Sequence, residues 1–275
     1  MTKTLKLFLS FLTLALIFAL IPAPASATFV TPKRIMIKDG QQAATVTIQN
    51  RNKQAMVYQF GWERRVQTPD GKFKNLKDGE TIPGYRPADD MFIFSPRQVI
   101  VQPGQTQRVR ILVRRPADLA PGEYHSHLHI MPDPLSKAEA PEVTQRGVGG
   151  ILEMRTRMSI PVFLRQGPTS VNFQFSQSRL VDDGEKRALT TTIDNNSTRS
   201  IYAKPVMHCT KADGSVIDTV LPTLRLYAEA KHYDHKFSIP KTAPAFSECS
   251  AIKVSFEGLQ DPEYHAKVIT EINLK

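Results

Sequence analysis

Histidine recurs at every second position of GEYHSHLHIMPD, as His125, His127 and His129. Imidazole nitrogens bind zinc and copper, and an H-x-H pair on one strand face can chelate such an ion. Three at this spacing, however, span about 13 Å along a strand, too far to ligate a single metal. A working site also needs a fourth ligand and carboxylates behind the imidazoles. The expectation is therefore a strand with the three histidines on one face, His125 and His129 as polar, outward residues, Tyr124, Ser126, Leu128 and Ile130 on the other face, and no metal or other cofactor. No G-x-S-x-G, H-E-x-x-H or glycine-rich phosphate loop occurs, so no enzyme activity is expected. The sequon NNST, at 195 to 198, reads as an exposed turn.

Cys209 and Cys249 are the only cysteines. In an oxidising compartment a sparse even pair is most simply one structural disulfide, two free thiols being the alternative. The first residues point to such a compartment. Lys3 and Lys6 precede an apolar run from Leu7 to about Leu20, and Ala25-Ser26-Ala27 has the small-x-small pattern of a cleavage site. The run is short for a membrane span, which takes about 20 apolar residues. Residues 1–27 read as a signal peptide cut near Ala27/Thr28, with a retained N-terminal anchor as the alternative, and the expected location is the periplasm. Losing two lysines lowers the formal charge from +10 to +8. The cations are scattered along the chain, which argues against a nucleic-acid tail.

The elements that carry these residues are strands. Turn signals recur at Asp39-Gly40, Asp70-Gly71, Pro103-Gly104, Pro121-Gly122, Asp183-Gly184 and Asp213-Gly214. Between them lie period-two runs such as ATVTIQN, AMVYQFGWERRV, QRVRILVR, RALTTTIDN, SIYAKPVMHC and AIKVSFEG. Many short alternating strands argue for antiparallel sandwiches; a parallel sheet would give continuous apolar runs. Pro168 follows SIPVFLRQG, and a fresh series of strands starts at SVNFQFSQ. The reading is all-β, with two immunoglobulin-like sandwiches over 28–167 and 168–275. Trp62 shares a strand face with Tyr58 and Phe60 and belongs to the first core.

A stretch of about twenty residues, Met131 to Gly150, has three prolines, three glycines and little periodicity. Connections that long are uncommon in compact domains and often functional. After it, Leu152, Met154, Thr156, Met158, Ile160 and Val162 alternate with Glu153, Arg155, Arg157, Ser159 and Pro161. This predicts a strand over about 150–163 with one apolar row and one polar row. A strand that overshoots its own sheet can complete a partner's sheet.

FIFSPRQVIVQPGQTQRVRILV, LAPGEYHSHLHIMP and SIPVFLRQG resemble, in order, the first domain of periplasmic pilus-assembly chaperones. PKRIMIKDGQQAATVTIQN is similar to that family's opening strand and VYQFGWERR to its Trp-bearing strand; the second half matches only in length and strand-rich character. The resemblance implies two immunoglobulin-like domains set at an angle. It also implies a mechanism: the chaperone lends a strand to a pilus or fimbrial subunit whose sandwich lacks one, and delivers it to an outer-membrane usher. Leu152, Met154 and Thr156 would enter the subunit's groove, with Met158 and Ile160 beyond. Two basic residues would hold the subunit's terminal carboxylate. Arg34 matches the first; at the second, a lysine in the family, this chain has Pro161, leaving Lys33 or Arg157 as possible helpers. Arg165 matches an arginine that bridges the two domains, with Glu123 and Asp261 as its acidic partners. The partners implied are subunit and usher, without nucleic acid or membrane insertion. The competing readings are a copper or zinc carrier on a similar sandwich, and an adhesion or envelope-structural protein.

Overall fold

The computed structural model describes residues 28–135, 156–259, 261, 264–265 and 267–274. The leader, and most of the stretch expected to start the long strand, lie outside them. Among the described residues no helix is long and apolar enough to cross a membrane.

Among the described residues, eleven strands come from the first half: β1 Thr28–Thr31, β2 Ile35–Ile37, β3 Ala43–Asn50, β4 Met56–Glu63, β5 Arg65–Gln67, β6 Phe73–Asn75, β7 Phe92–Ser95, β8 Gln98–Val101, β9 Thr106–Val113, β10 Gly122–Pro134 and β11 Met158–Gln166. They build one sheet of order β1-β3-β9-β7, a second of order β2-β11-β10-β4-β8, and a small β5-β6 hairpin. Alternation decides what lies between the sheets. Val46 and Ile48 of β3, Val109 and Ile111 of β9, Tyr58 and Phe60 of β4, and Leu128 and Ile130 of β10 all point inward and are buried. Trp62 packs against this core beside Phe92 and Phe94, with ring centroids 5.0 and 5.6 Å away.

The second half supplies β12 Phe173–Asp182, β13 Arg187–Asn195, β14 Ile201–Thr210, β15 Val216–Val220, β16 Leu224–Leu226, β17 His232–Ile239, β18 Ala251–Gly258 and β19 Val268–Asn273. Sheet β12-β13-β17 faces sheet β15-β14-β18-β19, in which β16 also pairs with β14. Their core is separate from the first: Leu189, Ile193, Met207, Phe237, Val254 and Phe256 meet within it. Cys209 and Cys249 are joined across a sequence separation of 40 residues, tying β14 to the segment before β18. The two-sandwich, all-β expectation is what the sheets display.

Register within the second sheet positions the site. β10 runs antiparallel to both β11 and β4, and β2 runs parallel to β11. The chain reaches β2 by changing sheets: β1 pairs with β3, and after Pro32, Lys33 and Arg34 it joins β11 at Ile35. Gly61 lies opposite His129. A side chain at 61 would overlap the His129 ring, so a glycine is required there by close approach.

Candidate functional site

β2 accompanies β11 only over Val162–Leu164. Met158–Pro161 therefore have β10 on one side and, among the described residues, no strand on the other. Proline is tolerated on such an edge because its missing N–H breaks no ladder there. The chain thus offers about four residues of open strand edge, starting where the segment 136–155 rejoins the fold.

Where the strand begins differs from the expectation of 150–163. Leu152 and Met154 lie outside the described residues. Thr156 and Arg157 are exposed and outside any strand, and Met158 is half-buried against the first core. Ile160 is buried inside that core, with Val162 and Leu164 below it, so it is withdrawn from the groove-filling set. Pairing with β10 and β2 draws the described part of the row into the protein's own interior, where Pro161 and Phe163 on the other face are buried as well.

The cleft beside this edge is about 360 Å³. One wall carries Lys33, Arg34, Ser159 and Pro161, with Arg65, Phe73 and His127 deeper in; the opposite wall is Tyr202, Thr223, Arg225, Tyr227 and Leu259 of the second sandwich. Arg34 is buried, its guanidinium 3.9 Å above the Tyr202 ring and 5.9 Å from Phe163. Burial draws it below the ordinary arginine value, Tyr202 opposing. Such a stacked, desolvated guanidinium suits an anion presented through the open mouth. Of the two proposed helpers, Lys33 lines the cleft. Arg157 does not; its guanidinium lies 3.4 Å from Glu63, which Ser159 also contacts. Sequence reasoning missed Arg225, because no local pattern says that β16 will face Arg34 across two sandwiches.

The histidine face needs a larger correction. His125 and His127 are 2% and 3% exposed, and His129 is half-buried. Their row is covered by the β5-β6 hairpin and by the Tyr227–Glu229 turn of the second sandwich. His125 Nε2 lies 3.2 Å from Glu229 Oε2, and the ring meets Tyr85, Phe163 and Tyr227 edge-on or tilted. His127 stacks on Tyr227 and meets Phe73. Burial, then the neighbouring His125 and Arg65, push the His127 imidazole down to about 2, so it is neutral. Among the described residues no group of three or more His, Cys, Asp or Glu could hold a metal ion.

The same β10 face begins with Glu123, which joins a buried polar network between the sandwiches. Arg165 donates from Nε to Glu123 at 3.1 Å, from Nη1 to Asp261 at 2.9 Å and from Nη2 to the Ser200 carbonyl at 3.3 Å. Glu123 also accepts the Ser200 N–H at 2.6 Å, and Arg199 stands 3.6 Å from Asp261. Burial raises the Glu123 carboxyl above the usual range, Arg165 opposing. A second tie has no signal in the sequence. Gln67 donates to the Arg225 carbonyl at 2.8 Å and accepts from the Tyr227 N–H at 2.9 Å, while Glu229 accepts the Gln67 N–H at 3.1 Å.

No family profile matches the chain and no curated protein is similar to it in sequence. Several solved structures are similar in shape. A YadV chaperone is 12% identical, with 90% of this chain and 99% of that one covered and a TM-score of 0.48. A CsuC–CsuE chaperone–tip subunit complex from the Csu pili of Acinetobacter baumannii is 14% identical, covering 90% and 98%, with a TM-score of 0.47. A Salmonella enterica SafA pilin with its SafB chaperone is 12% identical, covering 92% and 97%, with a TM-score of 0.45.

Proposed function

We propose that this chain is a non-enzymatic periplasmic chaperone that holds pilus or fimbrial subunits whose sandwich lacks a strand and passes them to an outer-membrane usher. The observation that carries this reading is the open edge at Met158–Pro161, which ends beside Arg34. β2 is parallel to β11, and Arg34 immediately precedes it. A guest strand laid on the open edge in the β2 direction would therefore run toward Arg34 and end there. A cation at that point selects a carboxylate end, which fixes the guest strand as parallel to β11. In sequence Leu152, Met154 and Thr156 continue the alternation that precedes Met158, and in this reading they fill the guest's groove. Methionine adapts to imperfectly shaped grooves, and each well-buried side chain contributes about 1.5–3 kcal/mol.

Co-expression with a strand-deficient subunit tests the reading. A one-to-one complex should form, be lost with Met154→Glu and weaken with Arg34→Ala while the free protein's melting temperature holds. A complex indifferent to Met154→Glu rejects it. The copper or zinc alternative predicts instead stoichiometric metal binding abolished by His127→Ala.

A further inference from the structure

The cleft holds more positive charge than one terminal carboxylate needs. Lys33, Arg34, Arg65 and Arg225 all line it, and among the described residues no acidic side chain does. Arg34 and Arg225 share the Tyr202 ring, 3.9 and 5.8 Å from its centroid, which caps the separation of their guanidinium carbons at about 10 Å. Like charges this close near a protein surface repel one another. Arg65 is partly offset by Glu63 at 3.8 Å. Among the described residues, neither Lys33 nor Arg225 has a carboxylate within ion-pair distance.

A second observation points the same way without using charge. Among the described residues, neither Nδ1 of His127, which is almost wholly buried in the cleft wall, nor the buried Nε of Arg65 has a hydrogen-bond partner. Buried polar atoms left unpaired are rare and call for a missing partner. A neutral imidazole can donate to an oxygen without adding to the repulsion. The wall that bears Arg225 is fixed, because Gln67 of the first sandwich holds the Arg225 carbonyl and the Tyr227 N–H.

We infer that the cleft takes a partner chain whose C-terminal carboxylate is accompanied by a second carboxylate on its last or penultimate residue, Arg34 taking the terminus and Arg225, with Lys33, the acidic side chain. This rests on the proposed function and adds the chemistry of the partner's end. It also accounts for Pro161: the second cation stands on the opposite wall, where it reaches a side chain instead of the terminus.

The probes are acetylated nonapeptides of alternating Val and Thr ending in Asp or in Asn, each as free acid and as C-terminal amide, titrated at low salt by fluorescence anisotropy. The Asp acid should bind at least about tenfold tighter than the Asn acid. Arg225→Gln should reduce that ratio to within about twofold by weakening the Asp acid far more than the Asn acid, and Arg225→Lys should keep most of it. Inorganic phosphate should displace the peptide no better than chloride at equal ionic strength. Equal affinity for the Asp and Asn acids overturns the inference but, with the acids still preferred over the amides, leaves the chaperone reading standing. So does an Arg225→Gln variant that weakens both acids equally. Displacement by phosphate at low concentration makes this a free-anion site and overturns the inference. Acids and amides binding alike, or no peptide binding at all, overturns both readings.

Discussion

Replacing Arg165 by methionine should separate the two sandwiches energetically before it unfolds either. The arginine side chain is 10% exposed and the carboxylates of Glu123 and Asp261 are 1% exposed, so removing the cation strands two buried anions. Breaking such a pair typically costs about 3–5 kcal/mol. Here neither carboxylate is left bare, since Glu123 keeps the Ser200 N–H and Asp261 keeps Arg199, which places the expected loss near the lower end, about 3 kcal/mol. With a urea dependence of about 2–3 kcal/mol per molar, the midpoint should fall by about 1 M or more. Trp62, the sole tryptophan, reports the first sandwich by fluorescence, and amide exchange in β13 and β14 reports the second. In wild type the two probes should move together; in Arg165→Met they should part. The double variant Arg165→Met/Glu123→Gln leaves Asp261 facing Arg199 and no net buried charge, and should recover to within about 1.5 kcal/mol of wild type. A single-variant shift below about 0.3 M, or a double variant as weak as the single, would refute the reasoning that buried unpaired charge dominates.

Acid should weaken the fold through His127. Its imidazole is pushed down to about 2 in the folded state, whereas the unfolded chain protonates near 6.5. The contribution is complete above that pH and is lost as pH falls below it, reaching about 2 kcal/mol at pH 5. His127→Gln should flatten the difference between urea midpoints at pH 7.5 and pH 5 by that amount, and an unchanged slope counts against the assignment. Cys209→Ala/Cys249→Ala opens a loop with a sequence separation of 40 and should cost the second sandwich about 4 kcal/mol in the chain-entropy model, with the Trp62 transition moving far less. Gly61→Ala should destabilise the first sandwich by about 1–3 kcal/mol, because its methyl group meets the His129 ring, and His129→Ala should rescue it in a double-variant cycle.

What the sequence conveys is which side chains share a face. ATVTIQN, RALTTTIDN and AIKVSFEG became β3, β13 and β18, with their apolar rows turned inward. What it does not convey is what lies over a face. His125 reads as outward because its cover, Tyr227 with Glu229 from the second sandwich, comes from about 100 residues away along the chain, and the burial of His127 under Phe73 and Tyr227 is hidden for the same reason. The same limit applies to Ile160. Its row was visible, but the point at which that row enters the core depends on where β2 stops, and β2 is three residues long. Arg34 and Arg165 were found through family resemblance. Arg225 and Gln67 carry no such mark; each matters only because another segment arrives beside it.

The hairpin's grip on the Tyr227 turn has a kinetic corollary. If the cleft takes a chain end as proposed, its walls are already braced by Gln67, Glu229 and Arg165, so that the arriving end would meet a rigid receptor instead of a hinge. Capture then requires ordering of the guest alone. Loosening the brace, by Gln67→Ala for instance, should slow docking at an unaltered set of contact residues, because the receptor would spend part of its time in the wrong shape.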